Sequence, residues 1–305
     1  MTQATAIKQD SNNQIMSRQQ VENDVREQIA FSAEHTDNYH RPVLVVSKQR
    51  LRANARRFMS AMPRVRPHFA VKANPDAEIL QTFKQEGTCF EIASIAELDA
   101  MIELDVNMET VFYSNPIKSP AAIKHAANNG LLWYCVDTPE EVEKIAMIKP
   151  DAKLYLRITV SNEGSSWPLA GKFGAGPAAV EAIIEATKQH SMQLCGVTFH
   201  VGSQCSNINN WVAGIRAAKQ VFTQLSSHGF TPELLNIGGG YPLQFTGDEP
   251  SIEQIGEAIN RELESIPGSI QVMAEPGRYL VGSAGCLVSQ VVGIATRDEA
   301  RWIYL

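Results

Sequence analysis

The chain has 305 residues, of which 44% are hydrophobic and 20% are charged, and its formal net charge is −6. A chain of this length and composition can bury a large core, which excludes a disordered class of protein. No apolar stretch approaches the roughly 18 residues of a membrane-spanning helix, and the negative net charge disfavours nucleic acid as a partner. We therefore expect a globular protein with no membrane or nucleic-acid partner.

The N-terminal segment, residues 1–38, is rich in Gln, Asn, Asp and Glu and lacks the apolar core of a signal peptide. We interpret it as a polar leader and expect a cytoplasmic protein. The five cysteines form no CxxC pair and no His/Cys cluster at metal-ligand spacing. The sequence therefore predicts reduced thiols and no metal site.

Eight short apolar runs alternate with helix-like segments along the chain. Several helical segments begin with a capping signal, such as Ser94, Ser119-Pro120 or Thr138-Pro139. Alternating strands and helices predict a parallel sheet, and eight units favour an α/β fold closed into a (β/α)8 barrel. The predicted strands are 69–71, 89–92, 111–113, 132–136, 154–158, 196–199, 234–237 and 270–274; the predicted helices are 77–85, 95–104, 119–128, 139–147, 177–190, 211–228 and 252–266.

Apolar runs near both ends of the chain lie outside these eight units. Residues 42–46 predict a strand before a first helix at 48–62, and 285–295 and 301–305 predict strands after the eighth unit. We interpret them as parts of a second, all-β domain that is truncated, because the sequence stops within an apolar run. The expected division is a leader at 1–38, a barrel at 39–282 and the start of a C-terminal β domain at 283–305.

Candidate functional residues follow the predicted strands, because the active site of such a barrel is built at the C-terminal ends of its strands. Lys72 follows the first strand in the segment Phe-Ala-Val-Lys-Ala-Asn. A lysine in this position can be a snorkelling surface residue. It also has the partly desolvated placement that lowers the pKa of an amine nucleophile for Schiff-base chemistry. The other motifs have to decide between these interpretations.

Two further motifs follow the sixth and seventh strands, Phe-His-Val-Gly-Ser-Gln at 199–204 and Asn-Ile-Gly-Gly-Gly-Tyr-Pro at 236–242. Three consecutive glycines expose backbone N–H groups and admit the close approach of a phosphate, although a glycine run by itself is more often a turn. Ser203 offers a hydroxyl donor, and His200 a flat ring that can stack on an aromatic cofactor. A lone histidine is more often a core residue.

Glu275 and Arg278 follow the eighth strand in Ala-Glu-Pro-Gly-Arg-Tyr. A carboxylate and an arginine at this spacing can reach two parts of one ligand, a protonated ring nitrogen and a phosphate. They can equally form a structural ion pair. An acidic group next to a pyridinium nitrogen keeps the ring able to accept electrons. This is a functional reason for a carboxylate, rather than a neutral side chain, at position 275.

Four of these motifs together resemble, in order and spacing, the ornithine/diaminopimelate decarboxylase family of fold-type III pyridoxal-phosphate enzymes. They are Phe-Ala-Val-Lys-Ala-Asn, Phe-His-Val-Gly-Ser, Ile-Gly-Gly-Gly-Tyr-Pro and Glu-Pro-Gly-Arg-Tyr-Leu-Val. The resemblance extends from about residue 42 to the end and is closer to the ornithine decarboxylase branch. It implies a pyridoxal-phosphate-binding TIM barrel of the alanine racemase-like type and a homodimer for the complete protein.

The resemblance also implies roles for individual residues. Lys72 is the Schiff-base lysine, His200 stacks on the cofactor ring, and Glu275 pairs with the pyridine nitrogen. Glu91 and Glu97 match the wall of the family's active site, although ornithine decarboxylases usually have Asp where this chain has Glu91. The remaining implied cofactor-binding residues are Arg157, Ser203, Gly239, Gly240, Gly277 and Arg278.

The implied activity is decarboxylation of L-ornithine, with L-lysine as a further candidate substrate, to a diamine and carbon dioxide in polyamine biosynthesis. In the family, the acidic residue that binds the distal amine of the substrate and the catalytic cysteine lie in the C-terminal β domain, beyond this sequence. Two alternatives stay open: a diaminopimelate decarboxylase, and a non-catalytic, regulatory homologue that binds pyridoxal phosphate. A continuation with a Cys-Asp pair would favour an enzyme over the regulatory homologue.

Overall fold

The computed structural model of the protein describes residues 42–245 and 247–305, together with 8–9, 15–16 and 26. The expected polar leader therefore lies almost entirely outside the described residues. Within it, strand β1 (Lys8–Gln9) pairs antiparallel with β2 (Ile15–Met16). In the described part of the chain, no helix is long and apolar enough to cross a membrane.

Eight parallel strands form a closed barrel, which confirms the fold predicted from the sequence. Each barrel strand pairs with its neighbours in chain order, and the last pairs with the first through Ala274 and Pro67. The barrel strands are β4 (Val65–Ala70), β5 (Cys89–Ile92), β6 (Val111–Tyr113), β7 (Trp133–Val136), β8 (Lys153–Arg157), β10 (Gln193–Thr198), β12 (Leu234–Asn236) and β13 (Gln271–Ala274).

The helices begin at the capping residues that the sequence indicates. Ser94 accepts a hydrogen bond from the N–H of Glu97, and Ser119 and Thr138 cap the next two helices in the same way, each before a proline. The helices are α1 (Lys48–Ala61), α2 (Ala77–Gln85), α3 (Ile95–Glu103), α4 (Pro120–Asn128), α5 (Pro139–Ala146), α6 (Pro177–Gln189), α7 (Asn209–Ser227), α8 (Ile252–Leu263) and α9 (Arg278–Val281).

The structure differs from the predicted strands mainly at two strand starts. The first barrel strand begins at Val65, four residues before the predicted start, because Arg66, Pro67 and His68 interrupt the apolar pattern. The sixth begins at Gln193 and contains a register shift before Gly196. An antiparallel pair that the sequence did not predict, β9 (Ser165–Trp167) with β11 (Ser203–Cys205), lies beside the strand ends.

The barrel interior contains two layers, because alternate side chains of each strand point inward. We call the first the lower layer; it is an apolar cluster within the barrel. The next inward positions, two residues further toward the C-terminal ends of the strands, carry polar side chains. We call these side chains the upper layer. The lower layer is Phe112, Trp133, Cys135, Tyr155, Cys195, Leu234 and Met273; the upper layer is Glu91, Ser114, Asp137, Asn236 and Glu275.

Two further sheets outside the barrel are formed by residues near the N-terminal and C-terminal ends of the barrel domain. Strand β3 (Val43–Val46) pairs antiparallel with β14 (Gly285–Val288). The predicted run 285–295 is divided into β14 and β15 (Gly293–Arg297), and β15 forms a hairpin with β16 (Ala300–Tyr304). These strands expose large apolar side chains, including Leu44, Leu287, Trp302 and Ile303.

Candidate active site

A cavity of about 530 Å³ opens at the C-terminal ends of the barrel strands. It brings together most of the residues that the sequence identified as candidates, although they come from five separate parts of the chain. Arg157, Glu97 and Gly239 are the candidates that do not line it. The lining residues are Ala70, Lys72, Ala73, Glu91, His200, Ser203, Gly240, Tyr241, Glu275, Gly277, Arg278 and Val281.

Lys72 lies in the turn after β4, and its amine pairs with Glu91 at the end of β5. The Nζ atom donates to Oε1 of Glu91 at 2.5 Å, while Oε2 of Glu91 is buried and has no hydrogen-bond partner among the described residues. Glu91 is completely buried, whereas about half of the Lys72 side chain is exposed to the cavity. The longer Glu side chain, in place of the Asp usual in ornithine decarboxylases, therefore reaches the amine directly.

The charge state of Lys72 differs from the sequence-based expectation. Burial acts to lower the pKa of Lys72, but the negative charges of Glu91 and Glu275 outweigh it, and the net shift is upward. Burial raises the pKa of Glu91, and the Lys72 ammonium opposes that rise only in part. The expected lowering of the amine pKa is therefore wrong, because the sequence did not show that the Glu91 and Glu275 carboxylates lie beside the amine.

Glu275 follows β13 and is held at one oxygen. Its Oε1 accepts from Ser114 Oγ at 2.5 Å and from Asn236 Nδ2 at 2.7 Å. The Oδ1 atom of Asn236 in turn accepts from the N–H of Gly238, which fixes the amide. Oε2 of Glu275 accepts from none of the described residues and remains open to the cavity. This free carboxylate oxygen fits a protonated ring nitrogen.

The glycine run after β12 forms a cradle that no side chain can occupy. A Cβ atom at Gly238 would lie 2.0 Å from the Phe199 carbonyl oxygen, and one at Gly240 would lie 2.2 Å from that of Gly202. Both glycines have positive φ, +66° and +97°. The N–H groups of Gly239 and Gly240 donate to no acceptor in the described part of the chain. Open backbone donors without side chains are what a phosphate requires.

His200 lies beside this cradle as a neutral ring. Burial, with the positive charges of Arg157 and Lys72, lowers the pKa of His200 to about 3. Its Nδ1 accepts from the N–H of Gly202 at 3.0 Å, which assigns the ring proton to Nε2. A neutral, fixed ring on the cavity wall is suited to stacking against an aromatic cofactor.

Ser203 and Arg278 complete the side of the cavity next to the cradle. Ser203 lies in β11, and its register partner in β9 is Trp167. The Arg278 guanidinium lies 5.8 Å from the centre of the Trp167 ring, within cation–π range. Gly277, before Arg278, packs closely on the first strand, since a Cβ there would lie 3.1 Å from those of Ala70 and Ala73. One hydroxyl and one guanidinium are thus available near the glycine N–H groups.

Arg157 and Glu97 occupy different surroundings from the other candidates. Arg157 lines a second, much smaller cavity next to His200, and its guanidinium lies 4.9 Å from the Phe173 ring centre. Glu97 lies in the first turn of α3, where its carboxylate accepts from the N–H of Ala93 and the hydroxyl of Ser94. Arg157 can therefore act on the site through His200, and Glu97 supports the loop behind Glu91.

Sequence reasoning missed three residues that hold Glu275: Ser114, Asn236 and, through Ser114, Tyr155. Tyr155 OH lies 2.9 Å from Ser114 Oγ. A signal was present in the strand pattern. Ser114 and Asn236 are polar, and each lies two residues after a buried apolar residue of its strand, so that it points to the same side. Their distance from Glu275 in the chain, 161 and 39 residues, concealed the contacts.

Outside the cavity, Glu181, Glu185 and His228 lie together on the surfaces of α6 and the C-terminal end of α7. The Lys188 ammonium lies 2.7 Å from His228 Nδ1 and 3.3 Å from Glu185. A lysine therefore already supplies the positive charge of this cluster.

The family comparison agrees with the fold and the cavity. Residues 48–282 match the family described as "Pyridoxal-dependent decarboxylase, pyridoxal binding domain". Since the match covers most of the chain, this protein belongs to the pyridoxal-dependent decarboxylase family. Pyridoxal phosphate is accordingly the cofactor of this domain, and the open carboxylate oxygen, the free glycine N–H groups and the lysine amine fit its ring nitrogen, phosphate and aldehyde.

Curated relatives are about a third identical to the chain over the aligned residues. Antizyme inhibitor 2 of Xenopus laevis is 37% identical over 77% of this chain and 52% of its own length. A lysine/ornithine decarboxylase of Selenomonas ruminantium is 32% identical over 87% of this chain and 67% of its own length. The chain spans about half the length of the first curated relatives that it matches.

Solved structures of similar proteins share the fold. The lysine/ornithine decarboxylase of Vibrio vulnificus, solved with putrescine, superposes with a TM-score of 0.83 at 30% identity, over 95% of this chain and 75% of that one. The arginine decarboxylase of Paramecium bursaria Chlorella virus, solved with agmatine, gives a TM-score of 0.82 at 27% identity, over 90% and 73%.

Proposed function

We propose that the protein decarboxylates L-ornithine, with L-lysine as a further substrate, to a diamine and carbon dioxide for polyamine biosynthesis. The observation that supports the proposal is one cavity whose lining includes Lys72, Glu275 and Gly240 of the glycine cradle. Similarity to lysine/ornithine decarboxylases supports the substrate class. When bound, pyridoxal phosphate supplies the electron sink for the electrons that carbon dioxide leaves behind.

In this proposal the residues have separate tasks. Lys72 attaches the cofactor, and Glu91 Oε1, 2.5 Å from Nζ, takes the proton that the amine must lose before it can act as a nucleophile. Glu275 pairs with the ring nitrogen, His200 stacks on the ring, and Arg157 supports His200. The phosphate is bound by Ser203, Gly239, Gly240, Gly277 and Arg278.

We also propose that residues 283–305 begin a second, β-rich domain, after a barrel at 39–282 and a leader at 1–38. The apolar side chains that β14 to β16 expose support this division, since such a face usually packs against more protein. We propose further that the whole protein is a cytoplasmic homodimer. The absence of disulfides among the five cysteines is compatible with that location.

A second candidate function is a regulatory, non-catalytic homologue. The similarity to an antizyme inhibitor, whose name describes an action on another protein, favours it. Such a protein can keep the barrel and the cofactor site while lacking turnover. The cofactor site and the activity therefore have to be tested separately.

The experiment compares the wild type with Lys72→Ala and with Lys219→Ala, a lysine on the outer surface of α7. Each protein is mixed with pyridoxal phosphate and reduced with borohydride, and covalent attachment is measured by mass spectrometry. We expect attachment in the wild type and in Lys219→Ala and its complete loss in Lys72→Ala. If Lys72→Ala attaches as many cofactor molecules per chain as the wild type, the role of Lys72 is contradicted.

Release of labelled carbon dioxide from L-ornithine and L-lysine then distinguishes the two candidate functions. Turnover that is lost in Lys72→Ala supports the decarboxylase. A wild-type protein that attaches the cofactor but releases no carbon dioxide from either substrate favours the regulatory homologue. Both substrates are assayed because one methylene changes binding by about 1–3 kcal/mol, which separates two substrates only modestly.

A further inference from the structure

The carboxylate of Glu275 has two unequal oxygens. Oε1 accepts two hydrogen bonds, from Ser114 and from Asn236, both from side chains that lie inside the barrel. Oε2 has no partner among the described residues and faces the cavity that Glu275 lines. The rotation of the carboxylate is therefore fixed by the barrel, and only one oxygen is left for a ligand.

Ser114 is itself oriented by Tyr155. A serine hydroxyl has one hydrogen, and Ser114 donates it to Glu275, because an ionised carboxylate only accepts. Ser114 Oγ must then accept from Tyr155 OH, 2.9 Å away. Burial, with the nearby Cys135 and the negative Glu275, raises the pKa of Tyr155 well above its usual value, so that the phenol keeps its proton. The hydrogen bonds therefore run in one direction, from Tyr155 through Ser114 to Glu275.

This chain of donors is rigid because each member is buried. Tyr155 is completely buried in the lower layer, where it contacts Phe112 and Trp133. Ser114 is 8% exposed and Asn236 is not exposed. The lower layer thus fixes the phenol, the phenol fixes the serine, and the serine fixes one oxygen of the carboxylate that faces the cavity.

We propose that Ser114 and Tyr155 are positioning residues for the cofactor ring nitrogen, which they serve by holding Glu275 with its free oxygen toward that nitrogen. The inference rests on the proposed function, in which Glu275 pairs with the ring nitrogen. Neither residue needs to touch the cofactor. Their effect should therefore depend on the presence of a nitrogen in the ring.

The test uses pyridoxal phosphate and its carbocyclic analogue, in which a CH group replaces the ring nitrogen. Equilibrium binding of both compounds is measured for the wild type, Ser114→Ala and Tyr155→Phe. We expect Ser114→Ala to weaken pyridoxal phosphate binding about tenfold, as for the loss of one hydrogen bond to a charged group, and Tyr155→Phe about threefold. Binding of the analogue should change less than about twofold in both variants.

Two controls separate positioning from a structural effect. Tyr134→Phe removes the hydroxyl of another completely buried tyrosine, which donates to the Leu131 carbonyl, and should change neither affinity. In a Glu275→Gln background, Ser114→Ala should add little to the loss already present, because the residues act through one another. Equal losses for pyridoxal phosphate and for the analogue in Ser114→Ala overturn the proposal.

The design distinguishes failure of this inference from failure of the proposed function. If Glu275→Gln weakens pyridoxal phosphate but not the analogue, while Ser114→Ala weakens neither, the role of Glu275 stands and the positioning role is wrong. If Glu275→Gln affects both compounds equally, or neither, the proposed role of Glu275 itself is wrong.

Discussion

The lower and upper layers follow one another along the barrel interior, yet they are built in opposite ways. In the lower layer, rings pack on rings, as Phe112 does on Trp133 with centroids 5.0 Å apart and planes 24° apart. In the upper layer, side chains hydrogen-bond and leave buried atoms without a partner among the described residues, namely Oε2 of Glu91 and Oδ1 of Asp137. Burial of apolar area stabilises the first, whereas unpartnered buried polar atoms destabilise the second. The polar side chains of the upper layer are therefore suited to binding a ligand rather than to stabilising the fold.

Tyr155 belongs to both layers. Its ring packs edge-on against Phe112 at 5.7 Å, and its hydroxyl bonds to Ser114. A residue with an apolar body and a polar end is suited to such a boundary. The comparison predicts that substitutions in the lower layer change stability most, while those in the upper layer change the chemistry of the site.

Phe112→Ala in the lower layer should have the largest effect on stability. Phe112 is 1% exposed and contacts His68, Trp133 and Tyr155, so its removal leaves a cavity that the closed barrel cannot collapse. We expect the free energy of unfolding to fall by about 3–5 kcal/mol, measured by urea denaturation. Phe245→Ala, at an exposed phenylalanine, is the matched control, with a change within about 0.5 kcal/mol. Equal losses of unfolding free energy in Phe112→Ala and Phe245→Ala would contradict the stabilising role of the lower layer.

His68, packed against the lower layer, should make stability fall in acid. Burial lowers the pKa of His68 from 6.5 to about 3, so between these pH values the unfolded chain binds a proton that the folded chain does not. The free energy of unfolding therefore falls as the pH drops through this range, by about 1.4 kcal/mol per pH unit for each such histidine. His68→Leu should reduce the slope by that amount, measured by denaturation across this pH range.

His200 contributes to the same slope, since its pKa is also lowered to about 3. His68→Leu should therefore leave a residual dependence from His200. The double variant with His68→Leu and His200→Leu should remove both contributions to the slope. A slope that does not respond to His68→Leu would falsify the assignment of a neutral His68 in the folded chain.

Glu91→Gln in the upper layer should have the smallest effect on stability but a distinct effect on the site. Burial alone acts to lower the pKa of Lys72, and the charge of Glu91 is the largest influence that raises it. Without that charge the amine loses its proton at lower pH, so the pH midpoint for covalent attachment of pyridoxal phosphate should move down. The measurement is the rate of borohydride-trapped attachment against pH.

Glu103→Gln, an exposed carboxylate at the end of α3, is the control and should leave this midpoint in place. A midpoint that moves up in Glu91→Gln contradicts the electrostatic account of Lys72. A loss of stability in Glu91→Gln as large as in Phe112→Ala would show that the two layers do not differ as described.

The sequence was sufficient for the barrel and for much of the site. Strand and helix positions followed from apolar periodicity and from caps such as Thr138-Pro139. The prediction missed the start of the first barrel strand, where Arg66 and His68 interrupt the apolar pattern. Glu275, His200 and the glycines after β12 were visible because polar residues and glycines directly follow strands. Their roles remain predictions that the binding experiments test.

The sequence by itself determined that strands alternate with helices and that Lys72, His200 and Glu275 directly follow strands, because periodicity and chain order are local properties. Only the tertiary structure decided which side chains meet. Ser114 and Glu275 are 161 residues apart in the chain, and they bond because the barrel closes with a particular register across its interior. The charge of Lys72 was decided in the same way, since the Glu91 and Glu275 carboxylates that raise its pKa arrive from other strands. Contacts across a closed barrel depend on closure and register, which no local pattern of residues encodes.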